Sequence, residues 1–210
     1  NSEYVVSDVE KKEVNRRPYP PFTTSTLQQA GSRLFYWSSK KTMMIAQQLY
    51  EHGFITYHRT DSFNLAKEAI AAAREYIGHN FDPAFLPAEP RFYKSKSILT
   101  QEAHEAIRPA DISKINSLDE INSSIGRTGK EAMRLYELIW KRFMACQMTD
   151  QIYDQTIITV IANGKEIYKL QIQGQVEKFA GWRTLFQKIN ADPDKEDETV
   201  IELPELSKGE

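Results

Sequence analysis

The residues of this chain best suited to chemistry lie in one run, Gly53-Phe54-Ile55-Thr56-Tyr57-His58-Arg59-Thr60-Asp61-Ser62. A tyrosine can act as a covalent nucleophile. A free phenol ionises only near pH ~10, so a neighbouring cation would favour the phenolate and also neutralise a phosphate. In an extended segment Tyr57 and Arg59 point to the same side, where one phosphodiester could meet both. His58 then points the other way, towards packing or solvent. A tyrosine in a β-prone run also serves as packing, and an arginine two residues on also serves as a solvated neighbour. Tyr-x-Arg alone does not separate these readings.

The flanking elements must position that run. Residues 4 to 14 alternate weakly around Tyr4, Val5, Val6, Val9 and Val14, which predicts an edge strand. Pro18, Pro20 and Pro21 then forbid helix and impose an extended crossing. Thr23, Thr24 and Ser25 offer caps for a helix over 27–34, and Ser38 or Ser39 caps a second over 40–51. Gly53 sits at its C-terminal cap position. A short β-prone piece, 54–57, carries the tyrosine. Helical spacing continues over 65–77, ended by Gly78 and Asn80, and the strongest helix spans 129–147. Strands over 156–161 and 166–172 flank Asn163-Gly164, the favoured type I′ hairpin pair. Tyr168, Leu170 and Ile172 alternate with Lys169, Gln171 and Gln173, giving one wet face. Asp192 to Glu198 reads as a solvated acidic loop.

Bulk properties restrict the alternatives. The net charge is −2 and the chain is 40% hydrophobic over 210 residues, so a core can form and any nucleic-acid footprint must be local. With one cysteine, Cys146, no intrachain disulfide or multi-cysteine zinc site can form within it. A reducing, cytoplasmic setting is the default. No apolar run approaches the ~18 residues of a membrane span. The opening Asn1-Ser2-Glu3-Tyr4-Val5-Val6 reads as the middle of a strand, so the chain is expected to be cut from a longer protein.

The tyrosine run resembles the active-tyrosine motif of type IA DNA topoisomerases, with His58 where Met is common. Other blocks agree in the family's order: residues 21–29 (Pro-Phe-Thr-Thr-Ser-Thr-Leu-Gln-Gln), 40–51, 101–109 (Gln-Glu-Ala-His-Glu-Ala-Ile-Arg-Pro) and 135–143. The likeness spans nearly the whole chain and is strongest to bacterial members. It implies Tyr57 as the nucleophile that forms a 5′-phosphotyrosine, Arg59 as the holder of the scissile phosphate and His104 as a nearby supporting group. A core imidazole is the alternative for His104. Lys40, Lys41 and Arg108 are implied DNA contacts, the two lysines equally well a solvated helix start. Thr60 and Asp61 are supporting residues, a cap for the third helix being at least as good an account of Asp61 as catalysis. Phe35-Tyr36-Trp37 replaces a smaller Leu-Gly-Phe-like stretch and reads as local core rather than a base-stacking platform.

The resemblance implies an α+β fold: a mostly helical, helix-turn-helix-like tyrosine domain (23–149) inserted in a β-rich arch or hinge (1–22 and 150–210). Its partners would be single-stranded and negatively supercoiled DNA, relaxed by strand passage without ATP. The family's magnesium-binding TOPRIM domain has no counterpart here, so no metal or cofactor is expected in this chain, with Mg²⁺ expected in the parent. The chain alone is then expected not to relax supercoiled DNA. A non-catalytic DNA-docking hinge module is the second hypothesis. A relaxase or recombinase lacks its histidine clusters or spaced Arg/His sets here.

Overall fold

The computed structural model of the chain describes residues 3–93, 104–164, 166–186 and 203–210. The fold is α+β, and the chain divides into two compact units. Among the described residues, 3–17, 150–181 and 203–210 form the first, and 18–93, 104–149 and 182–186 the second. The acidic run 192–198 and residues 101–103 of the histidine block lie outside the described residues.

The first unit is an antiparallel sheet of β1 (Glu3–Arg16), β2 (Gln151–Asn163) and β3 (Ile167–Phe179), in the order β1-β2-β3. Directly opposed residues share a face. Val9, Ile158 and Ile172 therefore lie in one row, with Val6, Val160 and Leu170 in the next and Tyr4, Ala162 and Tyr168 beyond. This face is buried at Val6, Ile158 and Ala162, but Tyr168, Leu170 and Ile172 are exposed. The alternation in β3 therefore marks an apolar row without marking burial. The hairpin also differs from expectation. Asn163 pairs with Ile167 as the last residue of β2, and residues 164–166 make the connection. Among the described residues Tyr36 is the only non-glycine with positive φ, so Asn163 does not occupy a type I′ position.

The second unit is helical: α1 (Thr24–Phe35), α2 (Ser39–Glu51), α3 (Lys67–Asn80), α4 (Leu118–Ile125) and α5 (Gly129–Ala145), with short 3₁₀ turns between them. Thr23 caps α1 with a reciprocal capping box to Thr26, and Ser38 caps α2. Helix α5 runs through the core, where Ala132, Leu135, Tyr136, Ile139 and Phe143 are fully buried. Trp182 and Phe186 join this core. The proline-rich crossing belongs to this unit: the buried Arg142 guanidinium lies 5.1 Å from the Tyr19 ring centroid and 4.3 Å from that of Phe22.

Three local expectations change. Residues 54–57 form no strand, only an isolated bridge of Ile55 to Pro109, because their partner segment is itself irregular. Helix α3 begins at Lys67 after Ala66, which supplies no side-chain cap, and it runs through Gly78 to Asn80. Asp61 is exposed, outside the helix, and is not its cap.

Candidate active site

The loop carrying Tyr57 starts where α2 stops. Gly53 has φ +74°, a left-handed value that a residue without Cβ adopts at little cost. Phe54 and Ile55 are buried and anchor the loop to the core.

On one side the loop is held by residues 106–110. Thr56 N donates to Arg108 O at 2.9 Å, and Ala110 N donates to Phe54 O at 2.9 Å. The Thr56 hydroxyl donates to Ala106 O at 2.8 Å and accepts from Arg108 N at 2.9 Å. On the other side it is held by the start of α1. Thr24 N donates to Thr60 O at 2.9 Å, and the Thr24 hydroxyl donates to His58 O and accepts from Thr60 N, both at 2.9 Å. Thr60 Oγ1 then accepts from Ser62 N at 3.1 Å. Thr60 is thus a scaffold residue. Thr24 and Thr56 do as much, although the sequence marks Thr24 only as a possible helix cap and Thr56 not at all, because a bonding threonine looks like any other until its partners are known.

Side chains alternate along this clamped loop. Tyr57 and Arg59 are exposed, while His58 and Thr60 are buried. The Tyr57 ring is 46% exposed and sits edge-on to Tyr50, centroids 5.2 Å apart. Among the described residues no acidic group engages Arg59, so its guanidinium can meet an anion. The backbone bends at His58, so this ring does not simply point away: it lies 5.4 Å from the Tyr57 ring. Burial, and then the Arg59 charge, push the His58 pKa down, with Glu51 opposing. Cys146, the other potential nucleophile, is fully buried with its thiol pushed up to about 12, so it does not compete.

The remaining expected residues separate. His104 is exposed, which removes the core-imidazole alternative. It lies two residues before Ala106, whose carbonyl holds Thr56. Lys40 is exposed at the start of α2, whereas Lys41 is engaged by Glu131 at 3.4 Å and lies 5.0 Å from the Trp37 ring centroid. The Arg108 fork is already occupied: Nε and Nη2 donate to the Glu105 carboxylate at 2.7 and 2.9 Å, and Nη1 donates to Pro109 O at 2.8 Å. Glu105 Oε1 also accepts from Ala66 N at 2.7 Å, so it terminates the leading end of α3 from a distant loop. Phe35 and Trp37 pack together at 4.6 Å, but Tyr36 between them is 92% exposed at φ 55°. Of those three rings Trp37 is core, Phe35 packs half-buried against the core and Tyr36 is outside it. Among the described residues no three His, Cys, Asp or Glu side chains converge as a metal ligand set.

The family model described as DNA topoisomerase matches residues 1–210. The chain is 46% identical over 209 residues to DNA topoisomerase 1 of Haemophilus influenzae, covering 100% of this chain and 22% of that protein. It is 46% identical over 180 residues to DNA topoisomerase 1 of Escherichia coli, covering 85% of this chain and 20% of that protein. The full-length topoisomerase I structure from Thermotoga maritima superposes with a TM-score of 0.72 at 30% identity, over 100% of this chain and 32% of that one. The chain spans about a fifth of the length of the first two relatives. With the whole chain matched, and with an ordered tyrosine loop in an α+β fold like that of the solved relative, the chain belongs to the DNA topoisomerase family, as a fragment of the bacterial type IA topoisomerase I kind.

Proposed function

We propose that this chain supplies the strand-cleaving tyrosine of a longer type IA topoisomerase. The observation that carries this reading is the alternation on the clamped loop: Tyr57 and Arg59 are both exposed while hydrogen bonds from backbone and threonine hydroxyls to two other segments hold the loop between them. Tyr57 Oη attacks a backbone phosphate of single-stranded DNA. The Oη–P bond forms, the P–O3′ bond breaks, and the phenolic proton is balanced by protonation of the leaving 3′-oxygen. Attack of that 3′-hydroxyl on the phosphotyrosine reverses the step, so no nucleotide hydrolysis is needed. Arg59 grips the non-bridging oxygens, for which a planar guanidinium fork is suited. Lys40 adds a phosphate contact and His104 supports the site from the neighbouring segment.

The helical unit is then the tyrosine-bearing part of the gate, and the sheet unit part of the arch or hinge. The parent enzyme passes a strand through the break and relaxes negative supercoils in the bacterial cytoplasm. Magnesium enters through a TOPRIM domain of that parent, and the chain alone does not relax DNA.

The test is covalent trapping. The full enzyme is incubated with 3′-end-labelled single-stranded DNA, denatured, and the labelled peptide mapped. The adduct is expected on Tyr57 and absent from Tyr57→Phe, whose unfolding midpoint stays unchanged because the variant loses one exposed hydroxyl. Retained DNA binding with no adduct in the wild type would leave the docking-module reading. An adduct elsewhere would refute the assignment.

A further inference from the structure

His58 is 3% exposed, and both of its ring nitrogens are buried with no hydrogen-bond partner among the described residues. Burying an imidazole without partners forfeits the hydrogen bonds it makes in water, so an apolar side chain would fill this space at lower cost. What His58 does have is shape contact. Its ring lies 5.4 Å from Tyr57 at an interplanar angle of 69° and 5.8 Å from Tyr50 at 46°, while Tyr50 and Tyr57 are 5.2 Å apart at 65°. Each of the three rings packs against the other two, mostly edge to face, which is a preferred arrangement of aromatic pairs. The His58 carbonyl is held by the Thr24 hydroxyl at 2.9 Å, so the ring can leave this cluster only by rotating its side chain.

We propose that His58 is a positioning residue: its neutral imidazole, closing a three-ring cluster with Tyr50 and Tyr57, holds the nucleophile in its cleaving orientation, and protonation releases it. This rests on the reading of Tyr57 as the nucleophile. The groups facing His58 support the acid sensitivity. Arg59, next in the chain, opposes a second positive charge. From α2 come Glu51, whose charge favours protonation, and the Tyr50 phenol. From the same loop comes the Tyr57 phenol, and α1 contributes the uncharged Thr24. Among the described residues no acceptor contacts either ring nitrogen. A protonated ring therefore gains by turning out to water, and Tyr57 loses one of its two aromatic supports.

The sign follows from linkage. The packed state lowers the His58 pKa below 6.5, so it binds fewer protons than the released state. It is favoured above that pH and weakened as pH falls through the packed-state pKa, by up to about tenfold per pH unit.

The experiment uses the full enzyme, with single-turnover adduct formation on 3′-labelled single-stranded DNA followed from pH 8 to pH 5. Wild type is compared with His58→Met, which fills the space without titrating, and with His58→Gln, which stays polar but neutral. Histidine ring resonances are followed over the same range, the His58 signal being the one missing in both variants. Near pH 8, His58→Met is expected within about threefold of wild type. Below about pH 6.5 the wild type should fall away from both variants by several-fold, and its His58 signal should titrate at lower pH than a free imidazole does. Parallel pH profiles, with the adduct on Tyr57, would overturn the positioning role and leave the nucleophile assignment intact. A wild type that gains on the variants in acid would also overturn it, because the charge would then be acting in place. An adduct away from Tyr57 removes both readings and is recognised by peptide mapping.

Discussion

Replacing Glu105 with alanine should weaken the helical unit and the tyrosine loop together. The carboxylate accepts two bonds from Arg108, at 2.7 and 2.9 Å, and a third from Ala66 N at 2.7 Å. Its side chain is 26% exposed and that of Arg108 is 17% exposed. Alanine leaves two guanidinium donors and the leading amide of α3 without an acceptor in a site that water enters only partly. Hydrogen bonds to charged groups contribute roughly 1.5–3 kcal/mol each, and a neutral one about 1. Residual exposure lets water replace part of this, so the expected loss is about 2–3 kcal/mol. Glu105→Gln keeps an acceptor oxygen and loses the charge, and should cost about 1 kcal/mol. Urea unfolding of the enzyme measures both, with a midpoint drop on the order of 1 M for the alanine variant. Adduct formation should fall as well, because the Ala106 and Arg108 carbonyls beside this clamp hold Thr56. A double-mutant cycle with Arg108→Met should give a coupling of about 1–2 kcal/mol. A loss below about 0.5 kcal/mol, or strict additivity in the cycle, would show that the pair is a surface ornament and refute the clamp.

Two further outcomes follow from the geometry. Arg59→Ala should lower adduct formation on the order of a hundredfold with the unfolding midpoint unchanged, since the side chain is exposed, and Arg59→Lys should recover part of the rate. Gly31→Ala would bring a Cβ to 2.6 Å from Thr42 Oγ1, forcing α1 and α2 apart at a cost of about 1–3 kcal/mol; adding Thr42→Ala should restore most of the loss, as read by thermal unfolding.

How much was legible depended on whether the physics is local. Capping is local, so Thr23 before α1 and Ser38 before α2 announce the helix starts within the distance of one turn. Helix α5 is legible because its apolar spacing repeats over several turns. Helix α4, only eight residues long, has too few turns for a period to stand out, and its region yielded no element from sequence. Asp61 illustrates the limit for caps. It has the right chemistry a few residues before α3, yet the acceptor at that helix end comes from Glu105, thirty-nine residues beyond Ala66.

The sequence by itself determined the nucleophile candidate, the arginine two residues on and the family. These depend on residue identity and order, which a string of letters carries in full. It also determined the antiparallel pairing of β2 with β3, though not the turn between them. Only the tertiary structure decided which polar residues are free and which are committed. Arg108 and Lys41 look as available as Lys40 in a string of letters, but Arg108 is gripped by Glu105 three residues before it and Lys41 is engaged by Glu131 from α5, whereas Lys40 is exposed. Only the fold, too, buried His58 against two tyrosines and left the apolar residues of β3 in solvent. Burial is a property of what lies across a gap in space, and residues distant in the chain supply it.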